Sequence, residues 1–377
     1  MRILVAASGG EGHLGPLLPF VDAARRAGDE VALVVPPEQE ATARATGAEY
    51  RLTDCRHAQD VARARRGLES GDREVRVHAA EVELFGRINT AAALRITETV
   101  AAELKPDLVL REPCDYASAI VATRLAVPIA TVGISPGRAD ISGLTLASTV
   151  IEHLAPGVTA TVEAAPYLTR FPGDESTGYP DTRHYGFPVN LGERTEERPP
   201  LIWLTMGTVN TGFDQTRGTW DAAIDALAGL DVRVLASTGR GGANLTPTDR
   251  MEVVDWIDLS DILGRATAVV CHGGSGTTLA ALGAGVPVIS VPMIADQPTN
   301  AAMVEKLGAG ITVAPSMGTD IGGLTPDDVP RLRRAIAEVL KDPSYRRAAL
   351  QVAAQFASAP GVEERLEELR WPERSNR

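Results

Sequence analysis

Short apolar runs alternate with helical patterns along the first half of the chain. Runs of strand length occupy residues 3–7, 31–35, 108–110 and 129–132, and a helical pattern fills residues 16–27. Apolar strands that alternate with helices are typical of a parallel sheet covered by helices. The first half is therefore predicted to be an α/β domain.

The alternation is interrupted twice before it resumes. Residues 60–100 are charged and Ala-rich, without strong strand signals, so we expect one long helix and a loop there. Residues 191–200 are polar and end in two prolines, with few groups to bury, which is typical of a linker between domains.

After this linker a second α/β pattern begins. Its strand-length apolar runs are residues 201–205, 232–236, 251–254, 268–270 and 286–291. The tail over residues 343–369 is predicted to form two helices that are separated at Pro360 and Gly361. Its end carries the apolar residues Leu366, Leu369 and Trp371, which need a surface to pack on.

Composition agrees with two globular domains and argues against several classes of function. The 377 residues are 44% hydrophobic and 23% charged, which is enough for two domains of about 150–200 residues. The net charge of -12 and the lack of a Lys/Arg-rich run argue against a nucleic-acid partner.

The cysteines and the apolar runs bear on the compartment. Cys55, Cys114 and Cys271 are odd in number and far apart, which argues against a disulfide framework or a zinc site. The apolar start of the chain is too short for a signal peptide, and no apolar run approaches about 18 residues. We therefore expect a soluble, cytoplasmic protein.

The most specific motif lies in the second half. The apolar run at residues 266–270 is followed by His272-Gly273-Gly274-Ser275-Gly276-Thr277 and then by a helical pattern. A Gly-rich turn at the start of a helix holds phosphate through unpaired backbone N–H groups and the helix dipole. Asp296 and Gln297 follow the next apolar run and suit sugar hydroxyls. Together these segments indicate a nucleotide-sugar site.

A second glycine-rich turn follows the first strand. Gly10, Gly12 and Gly15 satisfy G-x-G-x-x-G, which is typical of a dinucleotide site and would indicate an NAD(P)-dependent oxidoreductase. Such a site requires an acidic residue near the end of the second strand, and Glu38 fits that place only loosely. The fingerprint is weak evidence because any tight strand-to-helix turn favours glycine.

His13 lies within the same turn, and Pro16 starts the helix that follows. The carboxyl edge of a parallel sheet faces the crevice in which such folds bind ligands. The ordinary histidine pKa of about 6.5 suits a general base at neutral pH. The alternative is a histidine that only caps the turn.

These motifs resemble those of the family 1 (UGT-like) glycosyltransferases of the GT-B fold, most closely the bacterial enzymes that modify antibiotics. The resemblance rests on residues 12–16, on residues 272–277 and on the pair Asp296-Gln297. It implies two Rossmann-like domains that face each other across a cleft. Residues 1–190 would bind the acceptor, 191–200 would be the linker, and 201–356 would bind the donor. A C-terminal helix over residues 357–377 would cross back to complete the first domain.

The resemblance also implies catalytic roles. His13 would take the proton of the acceptor hydroxyl while the oxygen attacks the anomeric carbon opposite the nucleotide, which inverts its configuration. A carboxylate after a strand of the first domain would orient this histidine. Glu112 fits that place, although the family more often has Asp there, and Asp115 is the second choice. A purely structural ion pair near Arg111 is the alternative for Glu112.

Donor-binding roles follow in the same way from the resemblance. Trp256 would stack on the base or else belong to the strand core, and Asp296 and Gln297 would bind sugar hydroxyls. A helix N-cap is the alternative for Asp296. The residues expected at the diphosphate are Gly207, Thr208, His272, Gly274, Ser275, Gly276 and Thr277.

The predicted function is therefore that of an inverting glycosyltransferase. It would move a sugar, in particular a deoxysugar, from a TDP or UDP donor to a hydrophobic natural-product aglycone. No metal or other cofactor is expected, since the sequence holds no Asp-x-Asp. A cell-wall N-acetylglucosaminyltransferase is a further alternative. The acceptor pocket is expected from residues 55–90 and 134–150, whose sequence does not identify the acceptor, and a homodimer is left open.

Overall fold

The computed structural model describes residues 1–173, 177–186, 195, 197–207, 214–239, 243–315 and 323–370. The chain divides into two compact units, one formed by Met1–Gly186 with Ala359–Arg377 and the other by Phe187–Ser358. Half of the predicted linker, together with Thr208 and Trp371, lies outside the described residues. No helix in the described ranges has the length and apolarity needed to cross a membrane.

The first unit contains a seven-stranded sheet in the order β3-β2-β1-β4-β5-β6-β7, and every neighbouring pair is parallel. The strands are β1 (Arg2–Ala6), β2 (Glu30–Val35), β3 (Glu49–Leu52), β4 (Leu108–Arg111), β5 (Ile129–Val132), β6 (Tyr167–Thr169) and β7 (Thr182–His184). This confirms the predicted parallel sheet. Because β1 lies between β2 and β4, the loops after β1 and β4 leave the same edge side by side, where such sheets bind ligands.

Nine α-helices of the first unit are α1 (Glu11–Leu14), α2 (Leu18–Arg26), α3 (Glu40–Ala45), α4 (Ala58–Leu68), α5 (Arg73–His78), α6 (Thr90–Leu104), α7 (Tyr116–Leu125), α8 (Gly137–Ile151) and α9 (Val158–Ala164). Short 3₁₀ turns occupy Gly15–Leu17 and Pro37–Gln39, and Ala79–Asn89 is a π-helical segment. The expectation of one long helix and a loop over residues 60–100 is wrong. The Asp72 carboxylate accepts a hydrogen bond from the Glu74 N–H and starts a new helix there.

The second unit contains a six-stranded parallel sheet in the order β10-β9-β8-β11-β12-β13. Its strands are β8 (Leu201–Thr205), β9 (Arg233–Ser237), β10 (Met251–Val254), β11 (Ala268–Cys271), β12 (Val288–Ser290) and β13 (Gly310–Thr312). Its helices are α10 (Asp214–Ala228), α11 (Leu259–Leu263), α12 (Ser275–Gly283), α13 (Gln297–Lys306), α14 (Val329–Lys341) and α15 (Pro343–Ser358), with a 3₁₀ turn at Pro326–Asp328. The loops after β8 and β11 are neighbours in the same way.

The last helix, α16 (Val362–Arg370), belongs to the first unit. Val362 and Leu366 are buried in the same apolar core as Phe20 of α2, and Leu369 packs against that core. The break between α15 and α16 and the return of the C-terminal helix to the N-terminal domain are thus both confirmed.

Candidate functional site

A buried histidine–carboxylate pair forms at the carboxyl edge of the first sheet. His13 lies in the single turn of α1 after β1, and Glu112 directly follows β4. Since β1 and β4 are hydrogen-bonded neighbours, the two loops meet, and Nδ1 of His13 lies 3.2 Å from Oε2 of Glu112. The Glu112 side chain is fully buried, whereas the His13 side chain keeps 20% of its surface exposed. The contact with the carboxylate is thus made by Nδ1, which leaves Nε2 as the ring nitrogen able to receive a proton.

The surroundings keep Glu112 ionised. Its carboxylate accepts hydrogen bonds from Ser8 N (2.9 Å), Ser8 Oγ (2.8 Å) and Cys114 N (2.7 Å). Burial raises the pKa of Glu112, but the charge of His13 and these hydrogen bonds outweigh it and lower the pKa to about 2. Burial likewise lowers the pKa of His13, and the Glu112 carboxylate outweighs that effect, so the pKa is raised overall. This arrangement strengthens the histidine as a base.

The glycine that this site requires is Gly9. A Cβ atom at Gly9 would lie 2.4 Å from Cδ2 of His13, so only glycine leaves room for the imidazole. A Cβ atom at Gly12 or Gly15 would meet nothing within 4 Å. In addition, α1 spans only four residues before the 3₁₀ turn that contains Pro16. The glycine that packing requires thus lies outside G-x-G-x-x-G, so the structure of this turn adds no support to the dinucleotide interpretation.

Asp115 has a different role from Glu112. Its carboxylate caps α7 by accepting a 2.9 Å hydrogen bond from the Ser118 N–H, and its carbonyl accepts one of 2.7 Å from Arg111 Nε. The second choice for the orienting carboxylate is thus a helix cap, and the carboxylate beside His13 is Glu112.

The glycine-rich turn of the second unit ends at the start of α12. Gly274 is the N-cap, and the Thr278 N–H donates to the Gly274 carbonyl at 3.0 Å. The N–H groups of Ser275, Gly276 and Thr277 precede this bond and have no acceptor within the helix. Gly276 is exposed, so the turn presents backbone donors to the surface, which is the arrangement that binds phosphate groups.

His272 packs between Gly274 of this turn and Gly207 of the loop after β8. A Cβ atom at Gly207 would lie 2.5 Å from its Cε1, and one at Gly274 would lie 2.3 Å from its Nε2. Gly207 also has a φ of 73°, in the left-handed region that favours glycine. Burial lowers the pKa of His272 to about 4, so the ring is neutral at physiological pH. Its Nδ1 is buried and has no hydrogen-bond partner among the described residues.

Asp296 and Ser275 are joined in one hydrogen-bond network. Ser275 Oγ donates to Asp296 Oδ2 at 2.6 Å, and the amide of Asn300 donates to the same carboxylate at 2.8 Å and to the Gly273 carbonyl at 2.9 Å. Asp296 follows Ala295, whose φ of 55° is uncommon for a residue with a side chain. Asp296 is the N-cap position of α13, but its side chain makes no capping hydrogen bond.

Two further residues that were predicted to bind the sugar donor, Gln297 and Trp256, differ in their exposure to solvent. Gln297 is buried, and its Oε1 accepts hydrogen bonds from the N–H groups of Met293 (2.8 Å) and Ile294 (3.0 Å). These bonds hold the side-chain carbonyl against the loop that precedes α13. Trp256 follows β10 with 57% of its surface exposed. The strand-core alternative for Trp256 is therefore wrong, and its indole is free to stack.

Comparison with known proteins finds one match over the second part of the chain and others over nearly its whole length. Residues 221–370 match the family model "Erythromycin biosynthesis protein CIII-like, C-terminal domain". The elloramycin glycosyltransferase ElmGT of Streptomyces olivaceus is 28% identical, over 96% of this chain and 94% of that protein. The erythronolide mycarosyltransferase of Saccharopolyspora erythraea is 26% identical, over 98% and 99%.

Solved structures resemble the chain along its length. The glycosyltransferase SsfS6 of Streptomyces sp. SF2575 superposes with a TM-score of 0.73 at 25% identity, covering 98% of this chain and 99% of that one. The spinosyn rhamnosyltransferase SpnG, solved with thymidine diphosphate, has the same fold, with a TM-score of 0.80 at 20% identity and coverage of 98% and 100%. The fold is therefore that of the GT-B glycosyltransferases, and the relatives that match the chain along its length show a glycosyltransferase.

Several residues of the glycosyltransferase site escaped the sequence analysis. Ser8 donates twice to Glu112, and Asn300 ties the Gly-rich turn to Asp296, but neither lies at a motif spacing. Glu81 lies in the π-helical segment, near enough for its charge to raise the pKa of His13. A single acidic residue on a helix carries no sequence signal for such a position. Thr208, which was predicted at the diphosphate, lies outside the described residues.

Cys114 adds a third potential metal-ligating atom beside His13 and Glu112. Among the described residues, His13, Glu112 and Cys114 form the one group of three metal-ligating atoms that lie within 4.8 Å of one another. Burial raises the pKa of the Cys114 thiol well above its ordinary value, so the thiol stays protonated. Glu112 already accepts three hydrogen bonds.

Substitution of Gly274 tests the packing of the Gly-rich turn. We expect Gly274→Ala to destabilise the glycosyltransferase by about 1–3 kcal/mol, because the added Cβ must displace the His272 ring. TDP affinity should fall about tenfold as that ring moves. Thermal denaturation and calorimetric titration measure the two effects. Gly276→Ala is the matched control for stability, since its Cβ enters open space and should leave the melting temperature unchanged.

Proposed function

We propose that this glycosyltransferase moves a sugar, in particular a deoxysugar, from a TDP or UDP donor to a hydroxyl of a hydrophobic natural-product aglycone, with inversion and without a metal. The names of the elloramycin and erythronolide enzymes support this class of acceptor, and the thymidine diphosphate bound to SpnG supports TDP. The observation that carries the proposal is the buried contact of 3.2 Å between His13 and Glu112.

Proton transfer to His13 belongs to the same displacement as the attack on the anomeric carbon and the departure of the nucleotide. Nε2 takes the proton of the acceptor hydroxyl while the hydroxyl oxygen forms a bond to the anomeric carbon. The imidazolium that results is stabilised by Glu112, which remains ionised throughout because its pKa is about 2. The acceptor oxygen enters opposite the leaving group, so the configuration of the anomeric carbon is inverted.

The second unit stabilises the leaving group. The bond from the anomeric carbon to the diphosphate oxygen breaks, and the electron pair leaves with the nucleoside diphosphate. The N–H groups at the start of α12 and the neutral ring of His272 supply donors for that charge without a metal. Trp256 would stack on the base, and the network of Asp296 and Ser275 would meet the sugar hydroxyls.

Calorimetric titration with TDP, UDP and NAD in the presence of a chelator tests the donor side. We expect TDP or UDP to bind, and His272→Ala to weaken that binding about tenfold by removing one hydrogen-bond donor. Because the pKa of His272 is about 4, the affinity should not follow a histidine titration near neutral pH. His153→Ala, at an exposed histidine of the first unit, is the control.

Three results would contradict the proposal. They are binding of NAD alone that is indifferent to His272, binding of TDP only after a divalent metal is restored, and a product that keeps the anomeric configuration of the donor. The last is read from the anomeric coupling constant of the product by NMR.

A further inference from the structure

Glu81, close to the proposed base, carries a buried carboxylate oxygen that has no partner in the part of the chain that the structure describes. It lies in the π-helical segment Ala79–Asn89, and its Oε2 is buried with no hydrogen-bond partner among the described residues. A Cβ atom at Gly143 of α8 would lie 2.7 Å from that oxygen, so the glycine leaves space for the carboxyl group. A buried acceptor without a donor is costly to fold, which indicates that something outside the protein satisfies it.

The position of Glu81 relative to His13 follows from its own helix. The ring of Phe85, four residues later, packs against the His13 imidazole with the ring centroids 5.3 Å apart. In a π-helix the hydrogen bonds join residues five apart, so residues four apart lie within one turn of each other. Glu81 therefore lies about one helical turn from the residue that contacts the proposed base. Its residue surface is only partly buried, so the carboxyl group is open to a ligand on one side.

The charge state of Glu81 suits a neutral ligand. Burial raises its pKa to about 7, the charge of His13 opposes that rise, and the charge of Glu112 adds to it. Near neutral pH the group is thus present both as acid and as carboxylate. In either form at least one oxygen accepts a hydrogen bond from a hydroxyl. An anionic ligand would be repelled by Glu112 and by the ionised form.

We propose that Glu81 binds a second hydroxyl of the acceptor while the first hydroxyl faces His13. Because it rests on the proposed function, this inference makes Glu81 a specificity-determining residue for aglycones that carry a second hydroxyl group near the one that is glycosylated. An acceptor that lacks the second hydroxyl would leave the buried oxygen unpaired and would bind more weakly.

The test compares two small aromatic acceptor analogues that differ by one hydroxyl. Naphthoresorcinol carries two hydroxyl groups in a meta arrangement, and α-naphthol carries one. Their affinities are measured by calorimetry for the free enzyme and for the enzyme with saturating TDP. Wild type should prefer naphthoresorcinol by about tenfold, the effect of one hydrogen bond to a buried group.

The variants separate hydrogen bonding from packing. Glu81→Leu should remove the preference, and the isosteric Glu81→Gln should retain most of it, since its amide oxygen still accepts a hydrogen bond. Glu83→Gln is the matched control, because Glu83 lies on the same segment and pairs with Arg87 at 3.2 Å. It should keep the wild-type preference. Melting temperatures confirm that each variant is folded.

Three outcomes would overturn the role of Glu81: equal affinities in wild type, an unchanged preference in both Glu81 variants, or no binding of either analogue. Failure of the proposed function has a different signature. If NAD binds in place of TDP while the preference follows Glu81, the function fails and the hydroxyl site stands. If TDP binds and sugar is transferred without any effect of Glu81, the function stands and the inference fails.

Discussion

Replacing His13 by alanine is expected to lower kcat by about 10²–10⁴-fold, the range that a general base contributes. The acceptor hydroxyl would then have to lose its proton to water, without an imidazole held by Glu112 at 3.2 Å. The affinity for TDP should stay unchanged, because His13 belongs to the first unit and the Gly-rich turn to the second. Initial rates at saturating donor and acceptor measure kcat, and calorimetry measures TDP binding.

The control for His13→Ala is His153→Ala, which removes an exposed imidazole from the same unit. It should leave both kcat and TDP affinity at the wild-type values. A His13→Ala enzyme that turns over like wild type would remove His13 from the mechanism. A parallel loss of TDP affinity would instead indicate that the substitution disturbs the fold, and the melting temperature would show it.

The second large effect is expected for Glu112→Gln, which keeps the shape of the side chain and removes its charge. We expect kcat to fall about 10²-fold or more, because the imidazolium loses its counter-charge and the histidine loses its orientation. The buried amide must also meet Ser8 and Cys114, and its NH₂ group cannot accept their hydrogen bonds. Steady-state rates measure the loss.

The pH dependence of kcat/KM in the same variant should shift in a definite direction. In wild type the Glu112 carboxylate raises the pKa of His13, so kcat/KM should rise with pH through a value above the ordinary 6.5. In Glu112→Gln that attraction is absent, burial still lowers the pKa, and only the smaller contributions of the Glu81 and Asp140 charges oppose it. The acid limb of the profile should therefore move to lower pH even though the maximal rate falls. A limb that stays in place would contradict the pairing.

Asp115→Asn is the matched control for this charge removal. Asp115 caps α7 and does not contact His13, so its replacement should cost at most about 1 kcal/mol of stability. The acid limb of kcat/KM should stay where wild type has it. A shift of the limb in Asp115→Asn would return this residue to consideration as the orienting carboxylate.

The elements that could be predicted are those buried on both faces. Strands β1, β4 and β11 lie at or beside the centre of a parallel sheet, so helices cover both sides and the residues form continuous apolar runs. The outer strands β3, β6, β7 and β13 were missed. They have only three or four residues, and β3 and β7 are partly exposed, so their composition differs little from that of loops.

The helical region before β4 shows a second limit of prediction from the sequence. Its composition predicted helix, and the structure is indeed helical over most of that range, but in four successive pieces. The local cap at Asp72 and the π-helical segment divide it. A cap depends on one hydrogen bond and a π-helix on local packing, and neither changes the periodicity enough to be recognised in the sequence.

The sequence by itself determined the class of fold, the Gly-rich turn at His272 and the presence of His13 after the first strand, because each depends on residues that are close together along the chain. Tertiary structure decided which carboxylate reaches His13, since only the order β2-β1-β4 brings Glu112 to Ser8 across 104 residues. It also decided that Gly9 makes room for the imidazole, that Asn300 joins the Gly-rich turn to Asp296, and that Glu81 lies near the base. These contacts depend on how strands are ordered and how helices pack on them, so residues far apart in sequence meet through an arrangement that no local pattern encodes.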